Sequence, residues 1–225
     1  MKKILLILLL FFLNAICFAN IERWDEIKKE WSPLMIAIYK NHLKETIILI
    51  KNGADVNFET PGIERSRKLT AIEIAIFKEN DVALSILLHT NKIVHAEKFI
   101  FTAADQNNPR IINLLILYGA KANDTLENGY SPLMAAASFG SNEVLECLLK
   151  YGANVKQTRQ VDGITALMLA AFNGHLQKVK LLLSYKADKN FKDKNGKTAL
   201  NYVDAIYPSL KVNEKTKEEL RILLK

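Results

Sequence analysis

A segment of about 33 residues recurs along this chain, and that periodicity constrains the fold more than any other feature. The clearest copy opens with Ser131-Pro132-Leu133-Met134-Ala135-Ala136-Ala137 and continues through Gly140, Val144-Leu145 and Leu148-Leu149. It closes on Tyr151-Gly152-Ala153. The frame returns as Thr165-Ala166-Leu167-Met168-Leu169-Ala170-Ala171 with Gly174-His175, Val179 and Leu182-Leu183. It is present earlier as Ser32-Pro33-Leu34-Met35-Ile36-Ala37 with Leu49-Ile50 and Gly53-Ala54-Asp55-Val56-Asn57. Weaker copies run from Thr70 and from Lys98, and Thr198-Ala199-Leu200 opens a last one. The heads at 32, 70, 98, 131, 165 and 198 are separated by 38, 28, 33, 34 and 33 residues.

Each copy reads as two short antiparallel helices joined by a turn, with a loop leading to the next copy. The Ser or Thr head is an N-cap for the first helix, and a following proline suits the first helical turn. Gly-Ala after the second helix supplies a left-handed C-cap, with Asn91 at the glycine position of the second copy. On these residues the chain resembles the ankyrin repeat family. The heads Ser32-Pro33-Leu34, Ser131-Pro132-Leu133 and Thr165-Ala166-Leu167 carry the resemblance, with the pair Gly174-His175 and the tail Gly53 to Asn57. It implies an all-α ankyrin-repeat solenoid of about six repeats over residues 32–225, with an N-terminal cap over 20–31.

The chain also departs from the family pattern. No copy has histidine at the fourth position of the head, where Met35, Glu73, Phe101, Met134, Met168 and Asn201 stand. Apolar packing is expected to replace the histidine's hydrogen bonds. The 38-residue step lengthens one finger loop across Phe58 to Leu69, with Arg65, Arg67 and Lys68, and the 28-residue step removes the finger around Lys92 to Glu97. An insertion at Tyr207-Pro208-Ser209 precedes a charged amphipathic segment, Glu214 to Lys225, which reads as a polar C-terminal cap.

The first residues have a different character. Met1-Lys2-Lys3 is a positive start, Ile4 to Leu13 is apolar, and Cys17-Phe18-Ala19 places small residues before a cut at Asn20. That layout is a secretory signal peptide over 1–19, and the short Lys-Lys start points to the periplasm or beyond. The apolar run is too short for a membrane span, which needs roughly 20 residues. Acylation of Cys17 is disfavoured by Ile16 before it.

Catalytic chemistry finds little support in the residue pattern. No Gly-rich phosphate loop, serine elbow or His-Glu-x-x-His motif is present. Two cysteines cannot build a disulfide framework or a Cys-based zinc site, and Cys147 reads as a small core residue. His42 and His175 share one repeat position and read as structural, while His89 and His95 lack a third metal ligand. The formal charge of +7 is spread along the chain, which argues for mild attraction to acidic partners and against a nucleic-acid footprint. No cofactor is expected.

The resemblance implies a function in binding. In the family, recognition falls on the finger residues just before each head and on the two residues before the inter-helix turn. Here the latter are Tyr39-Lys40, Phe77-Lys78, Asp105-Gln106, Ser138-Phe139 and Phe172-Asn173, and the former are Trp31, Leu69, Tyr130, Ile164 and Lys197. Aromatics beside lysines on a concave face fit a protein-binding patch made of Tyr39, Lys40, Phe77, Lys78, Tyr130, Phe139, Phe172 and Asn173. Tyr130 and Phe139 are its expected exposed anchors; the competing expectation is that the aromatics pack between repeats. The whole reads as a non-catalytic, monomeric interaction module for a protein partner, with an inhibitor or immunity-type role as the alternative.

Overall fold

The computed structural model describes residues 30–60, 68–90, 99–206 and 210–225. These hold twelve helices in six consecutive pairs. The pairs are α1 (Pro33–Tyr39) with α2 (Leu43–Lys51), α3 (Ala71–Phe77) with α4 (Asp81–His89), and α5 (Phe99–Ala104) with α6 (Pro109–Leu117). They continue as α7 (Pro132–Ser138) with α8 (Asn142–Lys150), α9 (Ala166–Phe172) with α10 (Leu176–Ser184), and α11 (Ala199–Asp204) with α12 (Glu214–Leu224). The only strand-like pairing among the described residues is one bridge, Thr158 to Thr165.

The heads set the helix starts as their chemistry requires. Ser32, Thr70, Ser131 and Thr165 sit in extended backbone, and each side-chain oxygen accepts the N–H three residues on, at 3.2–3.3 Å. One of the orphan donors of each first turn is thereby satisfied. The residue at that third helical position takes two forms. Met35, Met134 and Met168 are fully buried, so apolar packing does stand where the family's histidine would be. Glu73 and Asn201 instead turn back to accept the head's own N–H at 3.0 and 2.9 Å. Those two repeats therefore close a capping box, which corrects the expectation of purely apolar replacement.

After α2, α6 and α8 the chain turns through Gly53, Gly119 and Gly152 at φ of 85°, 101° and 78°, the left-handed C-cap that the Gly-Ala pairs predict. The described residues divide into two compact units, 30–90 and 99–225. In the first, α1 packs on α3 and α2 on α4. In the second, α5, α7, α9 and α11 form one layer and α6, α8, α10 and α12 the other. The first-layer helices are short and built of small apolar residues: every residue of α7 and α9 is buried. Burying apolar surface at about 25 cal/mol per Å² makes this layer the main stabilising term.

The finger loops of the second unit are laced by main-chain bonds. Gln160 N–H donates to Asn128 O at 2.8 Å and Lys194 N–H to Asp162 O at 2.9 Å. Arg159 is buried and pairs with Asp162 through two nitrogens. At the far end α12 seats Leu220 and Leu224 in the core while Arg221 reaches Asp204, as a polar cap should. The expected signal segment, Trp24 and Ile27 of the expected N-terminal cap, Arg65 and Arg67, Asn91, the expected shortened finger, His95 and the insertion at 207–209 lie outside the described residues. The long finger is tied at its base by Thr60, whose N–H donates to Leu69 O and whose hydroxyl accepts Leu69 N–H at 2.9 Å.

Candidate functional site

The turns that end the first-layer helices are where sequence places the binding residues. In the first unit they form a patch. Lys40 follows α1 and Lys78 follows α3, both exposed, next to half-exposed Tyr39 and Phe77. The Lys78 ammonium stands 4.6 Å from the centre of the Tyr39 ring. The other side of the patch is fixed by Trp31, which meets Tyr39 edge-on with centroids 5.3 Å apart. Tyr39 is thus held between an aromatic edge and a cation, an arrangement worth about 0.5–1 kcal/mol at an exposed site. The turns themselves are unusual: Asn41 and Glu79 occupy φ of 58° and 50°, and the Asn80 amide donates to Asn41 Oδ1 at 2.9 Å.

The equivalent turns of the second unit differ. Phe139 is half-exposed beyond α7, and Asn173 is half-exposed with its amide donating to Leu169 O at 3.0 Å. Phe172 is buried against Tyr202 of the next repeat, with ring centroids 6.3 Å apart and planes at 83°, so it is no exposed contact. Asp105 and Gln106 are half-exposed, and Ser138 is buried.

Tyr130 is a correction. It is 3% exposed, and burial, then the Asp105 carboxylate, push its phenol far above the ordinary value. An exposed anchor it is not. The reason is positional: among the described residues just before a head, Trp31, Leu69, Tyr130 and Ile164 are all buried, and only Lys197 is exposed. Four large apolar residues at one repeat position are the signal of a core site, and that periodicity was present in the sequence.

The remaining candidates behave structurally. His42 is exposed, with Nδ1 3.1 Å from a Glu45 oxygen. His175 Nε2 lies 3.1 Å from Ser138 O, and burial, then the Lys178 ammonium, lower its pKa. His89 bonds the Ser85 carbonyl within its own helix. Cys147 is half-buried, not core, with Sγ 3.2 Å from Asn113 Oδ1; burial raises its pKa, which keeps it a thiol. Among the described residues no three His, Cys, Asp or Glu side chains gather where a metal could sit. No described helix is long and apolar enough to cross a membrane.

Sequence comparison bears on the same segments. The family described as ankyrin repeats (three copies) matches residues 100–193, and a single ankyrin repeat matches residues 29–61. A putative ankyrin repeat protein of fowlpox virus is 26% identical over 165 residues, covering 68% of this chain and 47% of its own length. Human transient receptor potential cation channel subfamily A member 1 is 26% identical over 165 residues, 68% of this chain and 14% of the channel. An Arabidopsis thaliana E3 ubiquitin-protein ligase, XBAT33, is 38% identical over 84 residues, 37% of this chain and 16% of the ligase. The chain therefore spans less than half the length of each of these relatives.

Proposed function

The chain belongs to the ankyrin repeat family, and from that premise we propose that it is a non-catalytic module, exported from the cytoplasm, that binds one protein partner. The observation that carries the reading is the patch at the ends of α1 and α3: two exposed lysines beside two half-exposed aromatics on adjacent repeats. Rigid aromatics with nearby cations are what interface hot spots are built from. Trp31 and the Asn80–Asn41 bond support the patch from behind, so little order is lost on binding. Export rests on the layout of residues 1–19 and predicts a mature chain beginning at Asn20, which intact mass spectrometry of the purified native protein reads directly.

The binding test compares the native chain with the Lys40→Glu/Lys78→Glu variant in affinity capture from the organism that makes it. Both substitutions fall on exposed residues, and loss of the Lys78–Tyr39 contact costs at most about 1 kcal/mol, so both chains should unfold cooperatively with only a small shift in Tm. A protein retained by the native chain and lost by the variant supports the reading. An identical retained set for both removes this patch from the function.

A further inference from the structure

A second surface lies on the finger that joins α10 to α11, residues 186–197. It carries five lysines and two aspartates, with Phe191 near its middle. Both aspartates are taken up in shaping the loop. Asp188 accepts the Asn190 N–H at 2.9 Å, and Asp193 accepts the N–H groups of Asn195 and Lys197 through Oδ1 and the Tyr202 hydroxyl through Oδ2. Lys194 is also committed, donating to the Gln160 carbonyl. The other four, Lys186, Lys189, Lys192 and Lys197, pair with no carboxylate among the described residues. Phe191 stays 37% exposed among them.

Two comparisons along the same unit sharpen this. The preceding finger carries one exposed lysine, Lys156, its arginine, Arg159, being held by Asp162, and the finger before it sets Asp124 and Glu127 against Lys121. Positive charge is therefore concentrated on one loop, with a single lysine on its neighbour. Lys186 also adopts φ of 65° where Gly53, Gly119 and Gly152 stand in other repeats, so a lysine is kept at a position whose backbone favours glycine. A nucleic-acid strand would need cations continued along a track. A single basic loop around one aromatic suits a short peptide instead.

We propose that this finger docks an acidic, extended segment of a partner protein, its carboxylates facing Lys186, Lys189, Lys192 and Lys197 and one apolar side chain resting on Phe191. The inference deepens the reading of the chain as an interaction module and rests on it. The probe is a fluorescein-labelled Glu-rich peptide with a central leucine, titrated with the full chain at low salt and followed by anisotropy. Saturable binding is expected, weakened about tenfold or more by Lys189→Glu/Lys192→Glu/Lys197→Glu, several-fold by Phe191→Ala, and largely lost at about 0.5 M salt. The Lys40→Glu/Lys78→Glu variant should bind the peptide as the native chain does, and circular dichroism should show every variant folded. Absence of saturable binding, equal binding by the triple variant, or tighter binding of oligothymidylate overturns the proposal. If the peptide fails while the Lys40/Lys78 variant still loses its client, only the finger assignment falls.

Discussion

Replacing Lys178 by methionine should remove a pH-dependent share of the stability of residues 99–225. Lys178 is 4% exposed, and its ammonium reaches across to the end of α7, 2.9 Å from Ala136 O and 3.3 Å from Ala137 O. Ile111 and Val144 fill the same position in the two preceding repeats, so the lysine stands in an apolar slot. Burial lowers its pKa from 10.5 to about 8. Below about pH 8 both folded and unfolded chains carry the proton, and the burial penalty is constant. Between about 8 and 10.5 the unfolded chain holds a proton that the folded chain has released, so stability rises with pH. At 1.36 kcal/mol per pKa unit the full gain is about 3 kcal/mol, and about 2 of it falls between roughly pH 7.5 and 9.5. Above about pH 10 the trend reverses, because Tyr130 and Tyr202 are held protonated in the fold and ionise on unfolding.

Urea midpoints of the native chain and of Lys178→Met across that range supply the assay. At the acid end the variant sheds the penalty but leaves two helix-end carbonyls without this donor, at about 1–3 kcal/mol, so the two chains should be close in stability. Moving toward pH 9.5, the native chain should gain on the variant by about 2 kcal/mol. Other titrating groups remain in both chains and largely cancel in the difference. His175, whose pKa the Lys178 charge depresses, acts only toward the acid side of this window. Parallel curves across the window would refute the argument, since they would mean that Lys178 keeps its proton in the fold.

Two further substitutions test the packing. Gly140→Ala should destabilise by about 1–3 kcal/mol in urea denaturation, because a Cβ there would collide with the Ala104 carbonyl oxygen and press on Ala136 Cα, both parts of a closely stacked layer. Glu79→Gly should stabilise the first unit by up to about 1 kcal/mol, since a non-glycine residue at φ of 50° is strained, and it should leave the Lys40/Lys78 patch intact. A thermal scan reads the gain; a loss would mean that Glu79 makes a contact worth more than its strain.

Helix order was legible because capping and periodicity act locally. Ser131 and Thr165 accept the N–H bonds that their position beside an apolar run requires, and Gly152 turns left-handed where the pattern puts it. Exposure at the site was less legible, because it depends on what the neighbouring repeat brings. Phe172 is covered by Tyr202, a residue 30 positions on, and Tyr130 is buried near Asp105 of the repeat before it. The lysines of the last finger were visible as residues but not as a patch. Nothing in a count of five lysines and two aspartates says that the aspartates are consumed by Asn190, Asn195, Lys197 and Tyr202.

Among the described residues, four non-glycine residues break the local rule by turning left-handed: Asn41, Glu79, Lys186 and Lys211. Three stand beside one of the two proposed surfaces. Asn41 and Glu79 follow Lys40 and Lys78, and Lys186 begins the basic finger; Lys211 precedes α12 and borders neither. A repeat chain offers its own control for such residues, because each position is sampled several times. Gly174 fills the inter-helix position in the fifth repeat, and Gly53, Gly119 and Gly152 fill the post-helix position in three others. Glycine is therefore compatible with the fold at both positions, and packing does not demand the residues found. What Glu79 and Lys186 add is charge on the outside, at a backbone cost that the buried layers tolerate. If that is why they stand there, glycine at 186 should raise thermal stability and weaken acidic-peptide binding together, whereas glycine at 79 should raise stability and leave that peptide's affinity unchanged.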